Sequence, residues 1–139
     1  MGYVIDGHPL VPGAACGVAL VSTDPLSFWG GYDQNTGEII DRRHPLSGSN
    51  ARQRILAIPG TRGSSTTTAV LLEAVHQGTA PAALLAMGVD TFLALASVVA
   101  DELYGHNLPV VALAPEDFAL LRSGQHLRIE ADGRVHIDS

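Results

Sequence analysis

The run Ile55-Leu56-Ala57-Ile58-Pro59-Gly60-Thr61-Arg62-Gly63-Ser64-Ser65-Thr66-Thr67-Thr68-Ala69 decides how the chain is read. An apolar segment of strand type empties into a glycine-rich turn, then into hydroxyl side chains. Val70-Leu71-Leu72-Glu73-Ala74-Val75 continues with helical character. A strand, a tight loop and a helix N-terminus direct several backbone N–H groups at one place. The positive end of the helix dipole lies there too, so an anion or a developing alkoxide is favoured. Ser64 or Ser65 equally suits the N-cap position, and capping alone accounts for the same residues. Three threonines are poor material for a first helical turn. They serve something other than helix formation, or they bond back to the backbone.

Upstream, Gly17-Val18-Ala19-Leu20-Val21-Ser22 predicts a strand buried on both faces, ended by Thr23-Asp24-Pro25. Before it, Pro9 and Pro12 break any long element. Leu26-Ser27-Phe28-Trp29-Gly30-Gly31-Tyr32-Asp33 reads as a loop. Its aromatics either fold over a sheet edge or, as Phe28 and Trp29, wall a ligand that Gly30 and Gly31 let the backbone approach. Asn35-Thr36-Gly37 signals a turn before a short strand, Glu38-Ile39-Ile40-Asp41. Arg42 and Arg43 then suit a surface loop or a carboxylate.

Downstream, the helix from Thr66 should end at Gly78. Pro81-Ala82-Ala83-Leu84-Leu85-Ala86 predicts a strand. Asp90 suits the cap of a helix with Phe92, Ala96, Val99 and Leu103 on one face, closed by Gly105. Pro109-Val110-Val111-Ala112-Leu113 is a further buried strand. Pro115 opens a short helix with Glu116 and Asp117 in its first turn, closed by Gly124. Leu127 and Ile129, then Val135 and Ile137, flank an Asp132-Gly133 turn as a terminal hairpin with one buried face, leaving His126 and His136 exposed. The expectation is one α/β domain over residues 1–139: a mixed sheet with helices and a C-terminal β-hairpin.

Composition narrows the function. The 139 residues carry a net charge of −6, and no basic stripe exists to neutralise phosphates, so nucleic acid is excluded as a partner. All eight basic residues are arginines, which removes Schiff-base chemistry and the P-loop lysine. Cys16 is the one cysteine; it forbids an internal disulfide and a cysteine cage, and small-residue packing is its default role. The six histidines are scattered without a metal-ligand spacing. Gly-x-Ser-x-Gly is absent, so a serine-hydrolase triad around Ser64 lacks its usual turn. With no apolar run near the roughly 20 residues of a membrane span and no signal-like start, no membrane is expected and a cytoplasmic setting is.

Arg62-Gly63-Ser64-Ser65-Thr66-Thr67-Thr68-Ala69-Val70-Leu71-Leu72-Glu73-Ala74 resembles the signature of the aconitase X small subunit, or swivel domain. Three further blocks are similar to that family in the same order. They are Pro25-Leu26-Ser27-Phe28-Trp29-Gly30-Gly31, Thr36-Gly37-Glu38-Ile39-Ile40-Asp41 with His44-Pro45-Leu46, and Val99-Ala100-Asp101-Glu102-Leu103-Tyr104-Gly105. Together the blocks cover most of the chain.

The resemblance implies a swivelling β/β/α domain like the fourth domain of aconitase. It also implies a separate large subunit that carries the iron–sulfur cluster, with no cofactor bound by this chain alone. In ordinary aconitases the corresponding turn is Gly-Ser-Ser-Arg-Glu, whose first serine is the base and whose arginine holds a carboxylate. Here Gly63-Ser64-Ser65 is kept and Thr66 replaces the arginine, which argues against a tricarboxylic substrate. By resemblance Ser64 is the base, and Arg62, Gly63, Ser65, Thr66, Ser27, Phe28, Trp29 and Gly30 bind a small hydroxy acid. Two dehydrations are implied, of cis-3-hydroxy-L-proline or of phosphomevalonate; the Phe28-Trp29-Gly30-Gly31 block and the threonine run look more like the first. A reading of another class is a non-catalytic regulatory module or a phosphocarrier swivel. The latter needs a histidine in the glycine-rich turn, and the nearest following one is His76, at the far end of the helix.

Overall fold

A computed structural model describes residues 2–62 and 66–138 of the chain. The strands are β1 (Tyr3–Asp6), β2 (His8–Val11), β3 (Ala15–Val21), β4 (Ile55–Ile58), β5 (Ala83–Met87), β6 (Val110–Leu113), β7 (His126–Ile129) and β8 (Arg134–Asp138). The helices are α1 (Thr66–Gln77), α2 (Thr91–Tyr104) and α3 (Pro115–Phe118). The eight strands run in the order β1-β8-β7-β3-β4-β5-β6-β2. β3 through β6 are parallel, and β7, β8, β1 and β2 pair antiparallel.

β3 is where the sheet folds over. Ala15 to Val18 pair with β7, whereas Ala19 to Val21 pair with β4. β1 and β2 lie at opposite ends of the order, yet Gly7 alone separates them in the chain. The sheet therefore curls until its edges meet. At that seam Gly7 N–H donates to the Gly133 carbonyl at 3.0 Å, and a Cβ on Gly7 would collide with the Val111 side chain. Pro9 costs nothing in β2, because β2 is an edge strand with a free N–H side.

Strand alternation divides the apolar residues between two cores. Inside the curl, Ile55 and Ala57 of β4 and Ala83 and Leu85 of β5 meet Leu127, Ile129, Val135 and Ile137 of the hairpin. On the outer face, Leu56, Ile58, Leu84 and Ala86 lie under α1, α2 and the long β3–β4 connection. The result is a β/β/α layering, as expected from the resemblance, with the C-terminal pair β7–β8 as its hairpin.

Several expectations change. β3 is buried on both faces only at Ala19 and Leu20; from Ala15 to Val18 every second residue is exposed, because the helices cover only the parallel half. Cys16 falls in that stretch and is exposed rather than packed. Glu38 to Asp41 form no strand, only single bridges of Ile39 to Tyr32 and Glu38 to Asn50. α2 buries Leu93, Ala96, Ser97 and Ala100 instead of the Phe92-Ala96-Val99-Leu103 face, and Leu103 points to solvent. Small residues let α2 lie close against its neighbours, and Ser97 Oγ–H is satisfied by the Leu108 carbonyl. α3 ends at Phe118, so Gly124 (φ 95°) closes the turn into β7, not the helix. His136 is half-buried and paired to Glu130 at 2.8 Å.

Candidate functional site

The parallel strands β3 to β6 all end at one edge, where ligands of parallel-sheet folds collect. There the aromatic loop is stitched to the exit of β4. Leu26 N–H donates to the Gly60 carbonyl at 3.2 Å, and Arg62 N–H donates to the Leu26 carbonyl at 3.0 Å. The exit is pinned from its other side by Asp90. One oxygen of that carboxylate accepts from Phe92 and Leu93 N–H, both at 3.1 Å, and so caps α2. The other accepts from Thr61 N–H at 2.7 Å and Thr61 Oγ–H at 2.9 Å.

The aromatic loop splits its two rings. Phe28 is fully buried and tilts against Tyr32 with ring centroids 5.3 Å apart. It therefore anchors the loop instead of walling a ligand, and Tyr32 Oη–H completes the anchor on the Thr79 carbonyl at 2.7 Å. Trp29 stands 70% exposed. Gly30 has φ 76° and open space around it.

Between the end of β3, the β4 exit and residues 41–44 lies a cleft of about 420 Å³, lined by Asp24, Pro25, Ser27, Asp41, Arg43, His44 and Arg62. Its floor is a buried polar knot. Ser22 Oγ accepts from Asp24 N–H at 2.9 Å and donates to the Asp24 carbonyl at 3.1 Å. His44 Nδ1 accepts from Leu46 N–H at 3.1 Å, which leaves the ring proton on Nε2 for the Asp24 carbonyl at 3.3 Å. His44 thus ties the 41–46 segment to the end of β3. Among the described residues, Asp24, Asp41, Arg43 and Arg62 make no ion pair; the pairs found are Arg134 with Asp6 and Asp132, and His136 with Glu130.

Of the residues expected in the site, the fold brings Ser27 and Arg62 into this cleft. Thr66 is exposed as the first residue of α1. Gly63, Ser64 and Ser65 lie outside the described residues, and with them the expected approach of the aromatic loop to Ser64. Asp24, Asp41 and His44 were not among the expected binding residues, whereas Arg43 suited either a surface loop or a carboxylate. Asp24 reads locally as turn chemistry; only the fold brings positions 24, 43 and 62 together. His76, the nearest candidate for a phosphocarrier, sits in the last turn of α1 with its ring 5.1 Å from that of Tyr104.

A larger groove of about 560 Å³ runs over the outer face of β3 and β7, lined by Ala14, Ala15, Cys16, Arg128, Ile129, Glu130 and Ala131. It is mostly apolar and lies on the antiparallel half of the sheet, so the smaller, charged cleft is the better candidate. Among the described residues no three His, Cys, Asp or Glu side chains gather to hold a metal. With a single, exposed cysteine, the chain does not offer a thiolate set for an iron–sulfur cluster. Among the described residues no helix is long and apolar enough to cross a membrane.

Residues 4–137 match the family described as the aconitase X swivel domain. The chain is 47% identical over 135 residues to a cis-3-hydroxy-L-proline dehydratase of Pseudomonas aeruginosa, covering 97% of this chain but 23% of that protein. It is 35% identical to a phosphomevalonate dehydratase small subunit of Methanothermobacter thermautotrophicus, covering 92% of this chain and 94% of the other. The chain thus spans under a quarter of the bacterial relative and nearly all of the archaeal one. The fold superposes on the holo-form crystal structure of aconitase X from Thermococcus kodakaraensis with a TM-score of 0.87 at 29% identity, covering 99% of both chains. A glycine-rich exit from a parallel strand, a charged cleft beside it and a family match over nearly the whole length agree: the chain belongs to the aconitase X swivel domain family.

Proposed function

We propose that this chain is the swivel part, the small subunit, of an aconitase X-type hydro-lyase that dehydrates cis-3-hydroxy-L-proline to 1-pyrroline-2-carboxylate in the cytoplasm. The observation that carries the reading is the charged cleft at the parallel-strand ends, which holds Ser27 and Arg62 together. Arg62 is two residues before Ser64 in the sequence. The 47% identity to the hydroxyproline dehydratase, against 35% to the phosphomevalonate subunit, favours the first substrate.

In this proposal Ser64 takes the proton from the carbon bearing the carboxylate. The released electron pair forms the ring double bond, hydroxide leaves the neighbouring carbon, and the enamine product tautomerises to the imine. A serine hydroxyl is a weak base. Held as an alkoxide by N–H groups and the dipole at the start of α1, it becomes a usable one. Arg62, Gly63, Ser65, Thr66, Ser27, Trp29 and Gly30 surround and orient the acid, while Phe28 holds the loop that carries three of them. The cluster belongs, in this reading, to a large-subunit partner, so this chain's own part is proton abstraction and substrate holding.

The test is turnover of cis-3-hydroxy-L-proline by the chain alone, by its complex with the coexpressed large subunit, and by the Ser64→Ala complex. The chain alone should be inactive and the complex active. Ser64→Ala should lower kcat by at least about 10²-fold with little loss of folding. A Ser64→Ala complex that assembles and turns over at the wild-type rate removes Ser64 as the base, and activity of the isolated chain removes the two-subunit reading.

A further inference from the structure

Two carboxylates and two guanidinium groups share the cleft, yet among the described residues none of the four makes an ion pair. Each acid is held by its surroundings. Asp41 Oδ1 accepts from Arg43 N–H at 3.0 Å, an Asx turn that fixes the carboxylate. Asp24 is fixed through its backbone, whose N–H and carbonyl are both engaged by Ser22 and whose carbonyl is also reached by His44. Opposite charges kept apart in one cleft suit a ligand that carries both signs on neighbouring atoms. A doubly anionic phosphorylated acid would instead set its second anion against Asp24 and Asp41, at the cost that like charges impose.

We propose that Asp24 and Asp41 determine specificity by receiving the ring ammonium of a zwitterionic cyclic amino acid, whose carboxylate is held by Arg43 and Arg62. The inference rests on the dehydratase reading in taking this cleft as the place where substrate binds and in taking the ligand's amine to be part of a ring. The carboxylate meets planar guanidinium donors, the geometry arginine is built to supply. The ammonium meets carboxylates that, among the described residues, make no ion pair of their own.

The test uses the assembled complex and two ligands of one shape, L-proline and tetrahydrofuran-2-carboxylate, which differ in carrying a ring ammonium or a ring oxygen. Calorimetric affinities are compared for the wild type and the Asp24→Asn/Asp41→Asn double variant. Asparagine keeps the acceptor of the Asx turn, so the loop is retained. The wild type should prefer proline by about tenfold or more, and the double variant should bind the two within about twofold of each other. Equal binding by the wild type, or an unchanged preference in the double variant, overturns the inference. Turnover of cis-3-hydroxy-L-proline is measured separately. A complex that shows the charge preference but no dehydration leaves the cleft assignment standing and removes the dehydratase reading.

Discussion

Tyr32 shows how a single residue of the aromatic loop serves the site without touching it. Its ring packs on Phe28 and its hydroxyl reaches across 47 positions to the Thr79 carbonyl. Burial pushes its ionisation well above the ordinary value. The sign of the consequence is set by which state loses the proton first. Below about pH 10 the phenol is protonated folded or unfolded, and its contribution is fully present. Above that, the unfolded chain ionises first, so stability falls by about 1.4 kcal/mol per pH unit until the raised value is reached. Tyr32→Phe should cost about 1 kcal/mol near neutral pH for the lost hydrogen bond, and should flatten that alkaline decline. Urea unfolding at about pH 8 and about pH 11 checks it; parallel losses in the two proteins would mean that Tyr32 is not the titrating group.

At the scale of elements, Asp90 couples the exit of β4 to the start of α2. As an N-cap alone its removal would cost about 1 kcal/mol. Here the second carboxylate oxygen also holds Thr61 through two donors. The expected outcome is that Asp90→Ala and Thr61→Val are non-additive, with a coupling of about 0.5 kcal/mol or more in a double-mutant cycle. Additive losses in thermal unfolding would reduce Asp90 to a cap. The same tie steadies the loop that leads to Ser64, so Asp90→Ala should lower turnover of the complex beyond its effect on the folded fraction.

For the whole molecule, the curl of the sheet depends on the seam at Gly7 and Gly133. Gly133 and Gly124 share a φ of 95°, so alanine pays the same backbone strain at both. Their surroundings differ: a Cβ at Gly133 would lie 2.5 Å from the Gly7 carbonyl oxygen, whereas Gly124 has nothing within 4 Å. Gly133→Ala should therefore destabilise by at least about 1 kcal/mol more than Gly124→Ala. Equal shifts in chemical unfolding would show that the seam tolerates a side chain, and that closure is held by the cores instead.

The parallel strands, α1, the capped α2 and the terminal hairpin were legible in the sequence because local signals set them. Ile55 to Ile58 is an apolar run of strand length, Asp90 and Gly105 bracket a helix, and Asp132-Gly133 makes the turn between two alternating strands. The four motif blocks likewise carried the family, and of the glycine-rich turn after Ile58 the described structure puts Arg62 in the candidate cleft. Tertiary structure alone decided which faces are covered. β3 changes partner midway, so Cys16 is exposed although its neighbours in sequence are apolar, and α2 buries Ala96, Ser97 and Ala100 because close packing favours small side chains over Phe92 and Leu103. The rest of the candidate cleft was less legible: Arg43 suited a surface or a carboxylate alike, and Asp24 and Asp41 come from turns with no periodic pattern. They meet Arg62 only because β3 and β4 run parallel and end together, and that register is a property of chain segments more than thirty residues apart.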